Sequence, residues 1–223
     1  MDDFAASRAN MVDCQLRTED VTDYAVLAAM GEIPREIFVS PRMRSLAYID
    51  EDILLKESTG SLLARYLMEP SPFARLVQLG AVEPTDIVLD VGCVTGYSTA
   101  VLARLANSVV AIEMDAELAA MASEKLVDLG VANAAVVTGP LEEGFGSEGP
   151  YDVIFLGGAV EFVPEALLAQ LKEGGRLVAV IGYGRAAAAT LFTRTGGEIG
   201  SRAVFNAHLR PLPGFVRPKS FVF

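Results

Sequence analysis

From Asp86 onward the chain alternates short β-branched runs with helical segments, and this rhythm constrains the fold more than any other feature of its 223 residues. "DIVLDVG" reads as a strand, "YSTAVLARLA" as a helix and "SVVAIEMD" as a strand. "AELAAMASEKLVDLG" then reads as a helix closed by Gly130, followed by the strands "AAVVTG" and "YDVIFLGGA", a proline-opened helix "PEALLAQLKEGG" and the strand "RLVAVIGYG". Repeated strand and helix units of this kind predict a mostly parallel, doubly wound α/β sheet, because parallel neighbours need a crossover of about a dozen residues between them. The strands are apolar throughout, as expected of strands covered on both faces. After Gly184 the pattern changes to two β-like runs around "TGGEIG", which predicts an antiparallel hairpin at the sheet edge. The final "KSFVF" is either a last edge strand or a docked tail.

Residues 1–80 lack this rhythm and read as a helical cap on an α/β domain of residues 81–223. Helices are expected over "ASRANMVDCQLR", over "TDYAVLAAMGEI" up to Pro34, and over "LLARYLMEPSPFARLVQLG", with "PREIFVSPRMRSLAYIDEDILL" as a loop-rich connection. A cap so placed can roof a ligand site.

Composition removes several classes of function. A formal net charge of −11 disfavours phosphate backbones and anionic lipid, so no nucleic acid partner and no membrane partner is expected. No apolar run approaches the ~20 residues of a membrane span, and the acidic opening "MDDFAASRAN" is unlike a signal peptide, which places the chain in the cytoplasm. Cys14 and Cys93 read as two reduced thiols, and the one histidine, His208, leaves little for a metal site or a catalytic triad. No metal is expected.

The chemistry concentrates in "IVLDVGCVTGYSTAVLA", a strand that runs through a glycine turn into a helix. In an open parallel sheet the first such turn borders the ligand crevice, and the helix beginning near Tyr97 offers free N–H groups to an anion. A dinucleotide fingerprint counted from Gly92 fails at Val94 and at Tyr97, which disfavours a nicotinamide-dependent oxidoreductase. The turn is more similar to the Asp-x-Gly-x-Gly-x-Gly of S-adenosylmethionine-dependent methyltransferases, which fails here only at Val94. Glu113 ends the next strand, 21 residues past Gly92, where a carboxylate can accept from both ribose hydroxyls. Alone, either feature is ordinary structure; together they mark a nucleoside-cofactor site.

The N-terminal third carries a more specific resemblance. "MVDCQLRTEDVTDYAVLAAMGEIPREIFVSPRMRSLAYIDEDILL" resembles the protein-L-isoaspartate O-methyltransferases in their Met-Val-x-x-Gln-Leu opening, Val-Leu-x-Ala-Met helix, Val-Pro-Arg-Glu-x-Phe-Val segment and Ala-Tyr-x-Asp. The resemblance covers nearly all of the chain. It implies a class I methyltransferase fold of seven strands, S-adenosylmethionine as cofactor, and isoaspartyl residues of damaged proteins or peptides as acceptors, methylated on the α-carboxylate as a first step of repair. The implied cofactor residues are Asp90, Gly92, Cys93, Val94, Gly96, Glu113, Met114, Pro140 and Leu141, and the implied acceptor residues are Arg65, Met68 and Pro70.

Three departures from the family fall on the chemistry. In its Gly-x-x-Gln-Thr-Ile-Ser-x-Pro loop, anchored on Pro70, Arg65 stands at the glutamine, Tyr66 at the threonine and Met68 at the serine regarded as the active-site residue. A thioether cannot donate a hydrogen bond to a carboxylate, whereas Arg65 can attract one. Val94 replaces a glycine where bulk or a positive φ costs roughly 1–3 kcal/mol. Pro140 and Leu141 stand where the family has an aspartate that accepts from the adenine amino group. The rival expectation is therefore a degenerate or repurposed homologue that keeps the fold, as a non-catalytic binding protein or with another acceptor.

Overall fold

A computed structural model describes residues 3–60 and 62–216. Seven strands form one sheet: β3 (Ile87–Val91), β4 (Ser108–Glu113), β5 (Ala134–Thr138), β6 (Tyr151–Val160), β7 (Leu171–Ile181), β8 (Ala188–Thr195) and β9 (Glu198–Asn206). They lie in the order β5-β4-β3-β6-β7-β8-β9, parallel from β5 to β7 and antiparallel at β8 and β9. The chain leaves β3 towards β4 and β5 and returns to β6 on its other side, so strand order reverses at β3. A crevice beyond the carboxyl ends of β3 and β6 is the expected ligand position in such a sheet.

Alternation along the central strands sends side chains into two cores. Val88 and Val153 join a cluster with Met11, Leu27, Phe38, Phe73 and Val101. Their neighbours Leu89 and Ile154 join a second with Leu141, Leu167, Leu212 and Phe215. The first cluster binds the N-terminal third to the sheet. Its helices are α1 (Phe4–Met11), continued by a π-helical turn over Val12–Leu16, and α2 (Tyr24–Glu32). The Asp23 carboxylate caps α2 by accepting from the Ala25 and Val26 amides. The connection that follows holds two 3-10 turns, Arg35–Phe38 and Pro41–Leu46, in keeping with a loop-rich reading. In the body, α4 (Tyr97–Leu105) and α5 (Ala116–Asp128) form the first two crossovers.

Two expected helices are shorter than the sequence suggested. The one expected over residues 62–80 splits: Arg65–Leu67 is a strand, β2, antiparallel to β1 (Ile53–Lys56), and only Pro70–Gly80 is helical, as α3. Pro70 occupies the first turn of α3, and Glu69 before it is extended at ψ 147°. A proline disfavours helical backbone in the residue it follows, so the helix starts at Pro70 instead of running through it. From there α3 buries Phe73, Leu76 and Val77, each contributing about 1.5–3 kcal/mol. The helix expected over 164–175 is a single turn, α6 (Glu165–Leu168), because Leu171 already pairs with Tyr151 in the sheet.

The edge hairpin forms as expected, with Gly196 and Gly197 both at positive φ in a two-residue turn. Its second strand ends at Asn206. Residues 209–212 leave the edge and run back over the crevice, where Pro211 pairs with Ala159. The "KSFVF" segment lies outside the described residues. No described helix is long and apolar enough to cross a membrane, and no group of three His, Cys, Asp or Glu among the described residues could hold a metal ion.

Candidate active site

The turn after β3 winds through positive φ at Gly92 (85°), Val94 (47°) and Gly96 (94°). Glycine adopts this conformation freely; valine does so at a cost of roughly 1–3 kcal/mol. Neighbouring contacts hold it there. The Val94 amide donates to Glu113 Oε2 at 2.9 Å, the Gly96 amide to the Cys93 carbonyl at 2.8 Å, and the Thr95 hydroxyl to the Phe38 carbonyl at 2.7 Å. The last bond ties the turn directly to the N-terminal third. At its base, buried Asp90 accepts from the Ser98 and Thr99 hydroxyls through Oδ2, both at 2.7 Å, and its Oδ1 has no partner. Burial first, with the nearby Glu113 charge adding to it, pushes the Asp90 carboxyl up to about 6 against the pull of the two hydroxyls. Burial likewise raises the Cys93 thiol well above its usual range, so that sulfur is an inert packing group.

Glu113, at the end of β4, is fully buried, and four donors meet its carboxylate. Arg65 reaches it bidentately, Nη1 to Oε1 at 2.6 Å and Nη2 to Oε2 at 2.8 Å. The amides of Val94 and Asp115 complete the set, the latter donating to Oε1 at 3.1 Å. The hairpin that carries Arg65 is fastened beside it, where Lys56, paired with Arg65 across the two strands, binds Asp115 Oδ2 at 2.7 Å and Glu117 Oε2 at 2.9 Å through Nζ.

Gly157 and Gly158 in β6 let the backbone come close on the opposite wall. A Cβ on Gly157 would lie 2.9 Å from the Gly92 carbonyl oxygen, and one on Gly158 2.9 Å from that of Arg210. Residues 209–212 close the top, with the Ala159 amide donating to the Arg210 carbonyl at 2.9 Å and the Leu212 amide to the Ala159 carbonyl at 2.8 Å. A Cβ on Gly92 would come within 2.6 Å of Leu212 Cδ1 and 3.4 Å of Arg65 Nη2. The glycine face is thus covered by two side chains.

Two small clefts of about 20 Å³ each remain, and Tyr66, Met68, Val94 and Gly157 line both. Arg65 and Arg210 line the first; Gly92 and Ser98 line the second. Arg210 is held over the Tyr66 ring at 4.7 Å and by Asp52 at 3.0 Å.

The structure therefore gathers Arg65, Met68, Gly92, Val94 and Glu113 about one crevice. Met114 lies beside it, lining a side cleft with Arg65 and Leu62. Leu141 approaches from the second core, 3.7 Å from the Cβ position of Gly92. Asp90, Cys93 and Gly96 support the turn from behind, Pro70 is spent on starting α3, and Pro140 is exposed and lines neither main cleft. Sequence reading missed Arg35, Gly157, Gly158 and the 209–212 strap. Arg35, fully buried under the Tyr97 ring at 4.8 Å, donates to the carbonyls of Ala47 (2.7 Å) and Met68 (2.5 Å) and so fixes the backbone of Met68. The paired glycines in "FLGGA" were a visible signal of close backbone approach at a strand end.

A mostly parallel seven-stranded sheet, a glycine turn at its switch point and an acid closing the neighbouring strand define a Rossmann-like class I methyltransferase fold. Within that class the chain belongs to the protein-L-isoaspartate(D-aspartate) O-methyltransferase family, whose model matches residues 7–212. It is 38% identical over 211 residues to a protein-L-isoaspartate O-methyltransferase of Koribacter versatilis (strain Ellin345), covering 95% of this chain and 92% of that one. A namesake from Methanoculleus marisnigri is 36% identical over 175 residues, 78% of this chain and 77% of its own. A solved protein-L-isoaspartate O-methyltransferase superposes with a TM-score of 0.79 at 27% identity, over 93% of this chain and 67% of that one. A structure from Plasmodium falciparum, described as a putative member in complex with S-adenosyl-L-homocysteine, shares the fold with a TM-score of 0.77 at 18% identity, over 96% of this chain and all of its own.

Proposed function

We propose that this chain is an S-adenosylmethionine-dependent carboxyl methyltransferase that esterifies the α-carboxylate of isoaspartyl residues in aged proteins, a repair role carried out in the cytoplasm. The observation that carries this reading is the position of Glu113, a buried carboxylate at the end of β4 beside the 92–96 turn, in a chain of this family. We take residues 1–80 as the roof over that site and 81–223 as the catalytic domain.

When bound, S-adenosylmethionine supplies an electrophilic methyl group on a sulfonium that is already a good leaving group. The residues present fit such a cofactor at its amino-acid end. The buried Asp90 Oδ1 lacks a partner beneath the turn, and Leu212 and Arg65 would have to move off Gly92 for the backbone of the turn to be reached. Glu113 would accept from the ribose hydroxyls once Arg65 gives way, and Met114, which lines the side cleft, would offer an apolar edge for the base in place of the family's aspartate. On the acceptor side an isoaspartyl carboxylate is ionised at neutral pH and needs no general base. Arg65 and Arg210 attract and orient it, Arg35 holds the Met68 backbone in place, and the strap at residues 209–212 excludes water.

A second reading, a homologue that keeps the fold without cofactor binding, is favoured by one set of contacts: Arg65 on Glu113 and Leu212 over Gly92 occupy space a cofactor needs. Titration calorimetry with S-adenosylmethionine and S-adenosylhomocysteine separates the two. Binding of both supports the methyltransferase, and no heat or thermal shift at millimolar ligand with acceptor peptide present supports the homologue.

A further inference from the structure

Glu113 is saturated by donors of its own chain, so a ribose diol can reach it only by displacing a guanidinium. Displacement by a neutral diol would leave a buried arginine unpaired, since the Arg65 side chain is only 7% exposed. Breaking a buried pair by withdrawing one partner is far more costly than the pair's net worth, because a charge is stranded. The cofactor alone is thus a poor competitor for this site.

Arg65 also lines the first cleft, beside Met68 and Arg210, on the wall that the proposed function assigns to the acceptor. A carboxylate arriving there offers the guanidinium a second bidentate partner in the same fork geometry. Exchange of one carboxylate for another leaves no stranded cation. A site that was merely shut would be filled at lower cost by apolar side chains, whereas a charged pair whose arginine borders both the first cleft and the side cleft can be traded.

We propose that Arg65 is a carboxylate-operated latch: the acceptor's carboxylate draws the guanidinium off Glu113 and frees that carboxylate for the cofactor, so that cofactor and anionic acceptor bind synergistically. The latch rests on the methyltransferase reading and adds to it an order of assembly that keeps the methyl donor out of an enzyme with nothing to methylate. Coupling of this kind is reciprocal: the acceptor must strengthen cofactor binding by the factor by which the cofactor strengthens acceptor binding.

The test is calorimetric titration of the full chain with S-adenosylhomocysteine, alone and with a saturating isoaspartyl hexapeptide. The same titrations are made on Arg65→Gln, whose fold is checked by circular dichroism. The latch predicts at least tenfold tighter binding to the wild type when peptide is present. Arg65→Gln is expected to bind at least tenfold tighter than wild type without peptide and to lose the peptide dependence. Wild-type binding that is equally tight with and without peptide overturns the latch and leaves the methyltransferase reading standing, whatever the variant does. Absence of binding to wild type and variant under both conditions removes both.

Discussion

The backbone amide of Val94 and the side-chain guanidinium of Arg65 share one oxygen, Oε2 of Glu113, at 2.9 and 2.8 Å. The strained residue of the turn and the latch are therefore fixed by the same acid. Replacing Val94 with glycine relieves a left-handed φ of 47°, worth roughly 1–3 kcal/mol, and removes a buried side chain worth about 1.5–3 kcal/mol. These nearly cancel, so stability is a poor readout. Affinity is a good one, because Val94 lines both clefts. Val94→Gly is expected to tighten S-adenosylhomocysteine binding about tenfold, equivalent to ~1.4 kcal/mol, and an unchanged dissociation constant would show that the side chain does not obstruct the ligand.

Thr95 joins the turn to the N-terminal third through the Phe38 carbonyl at 2.7 Å, and both residues are buried. Thr95→Val keeps the shape and removes the donor, leaving a buried carbonyl unsatisfied at a cost of about 1–3 kcal/mol. Chemical denaturation is expected to read a loss in that range, with a fall in melting temperature of a few degrees. A variant as stable as the wild type would mean that water already satisfies that carbonyl.

Asp90 makes stability depend on pH in a definite direction. Its folded value of about 6 lies above the ordinary 3.8, so its contribution is fully present below the ordinary value and is lost as pH rises through about 6. Asp90→Asn cannot titrate, and Ser98 and Thr99 can still donate to its amide oxygen. Between pH 4 and 7 the wild type is expected to lose on the order of 3 kcal/mol relative to the variant, taking ~1.4 kcal/mol per unit. Parallel profiles of unfolding free energy would refute the buried-acid account.

Met68 lines both clefts at the position of the family's serine, and its backbone is pinned by Arg35. Met68→Ser places a hydroxyl donor there without moving the chain. Turnover of an isoaspartyl peptide is expected to rise several-fold with little change in cofactor affinity. A fall in turnover would mean that the thioether packs against the acceptor and that the hydroxyl is not needed.

The five parallel strands were legible because each contains a short apolar run punctuated by glycine, proline or a cap, and the β8–β9 hairpin because a Gly-Gly turn separates its two runs. β2 was not. Three residues give too short an alternation to outweigh the helical look of "LLARYLM", and the pairing partner at Ile53–Lys56 lies in a loop-rich stretch. Pro70, which the preference of proline for the first helical turn puts at the start of α3, was the signal passed over. In the site, Gly92, Val94 and Glu113 were readable from spacing along one strand-turn-helix unit. The bond from Arg65 to Glu113 spans 48 residues and the return of residues 209–212 over β6 is longer still, and no local pattern encodes either.

The central claim is that the crevice between β3, β4 and β6 transfers a methyl group to an isoaspartyl carboxylate. The direct measurement is incubation of the full chain with methyl-labelled S-adenosylmethionine and a pair of peptides identical except for isoaspartyl or ordinary aspartyl at one position. Base-labile methyl ester on the isoaspartyl peptide alone is the predicted result; no base-labile label on either peptide would contradict it.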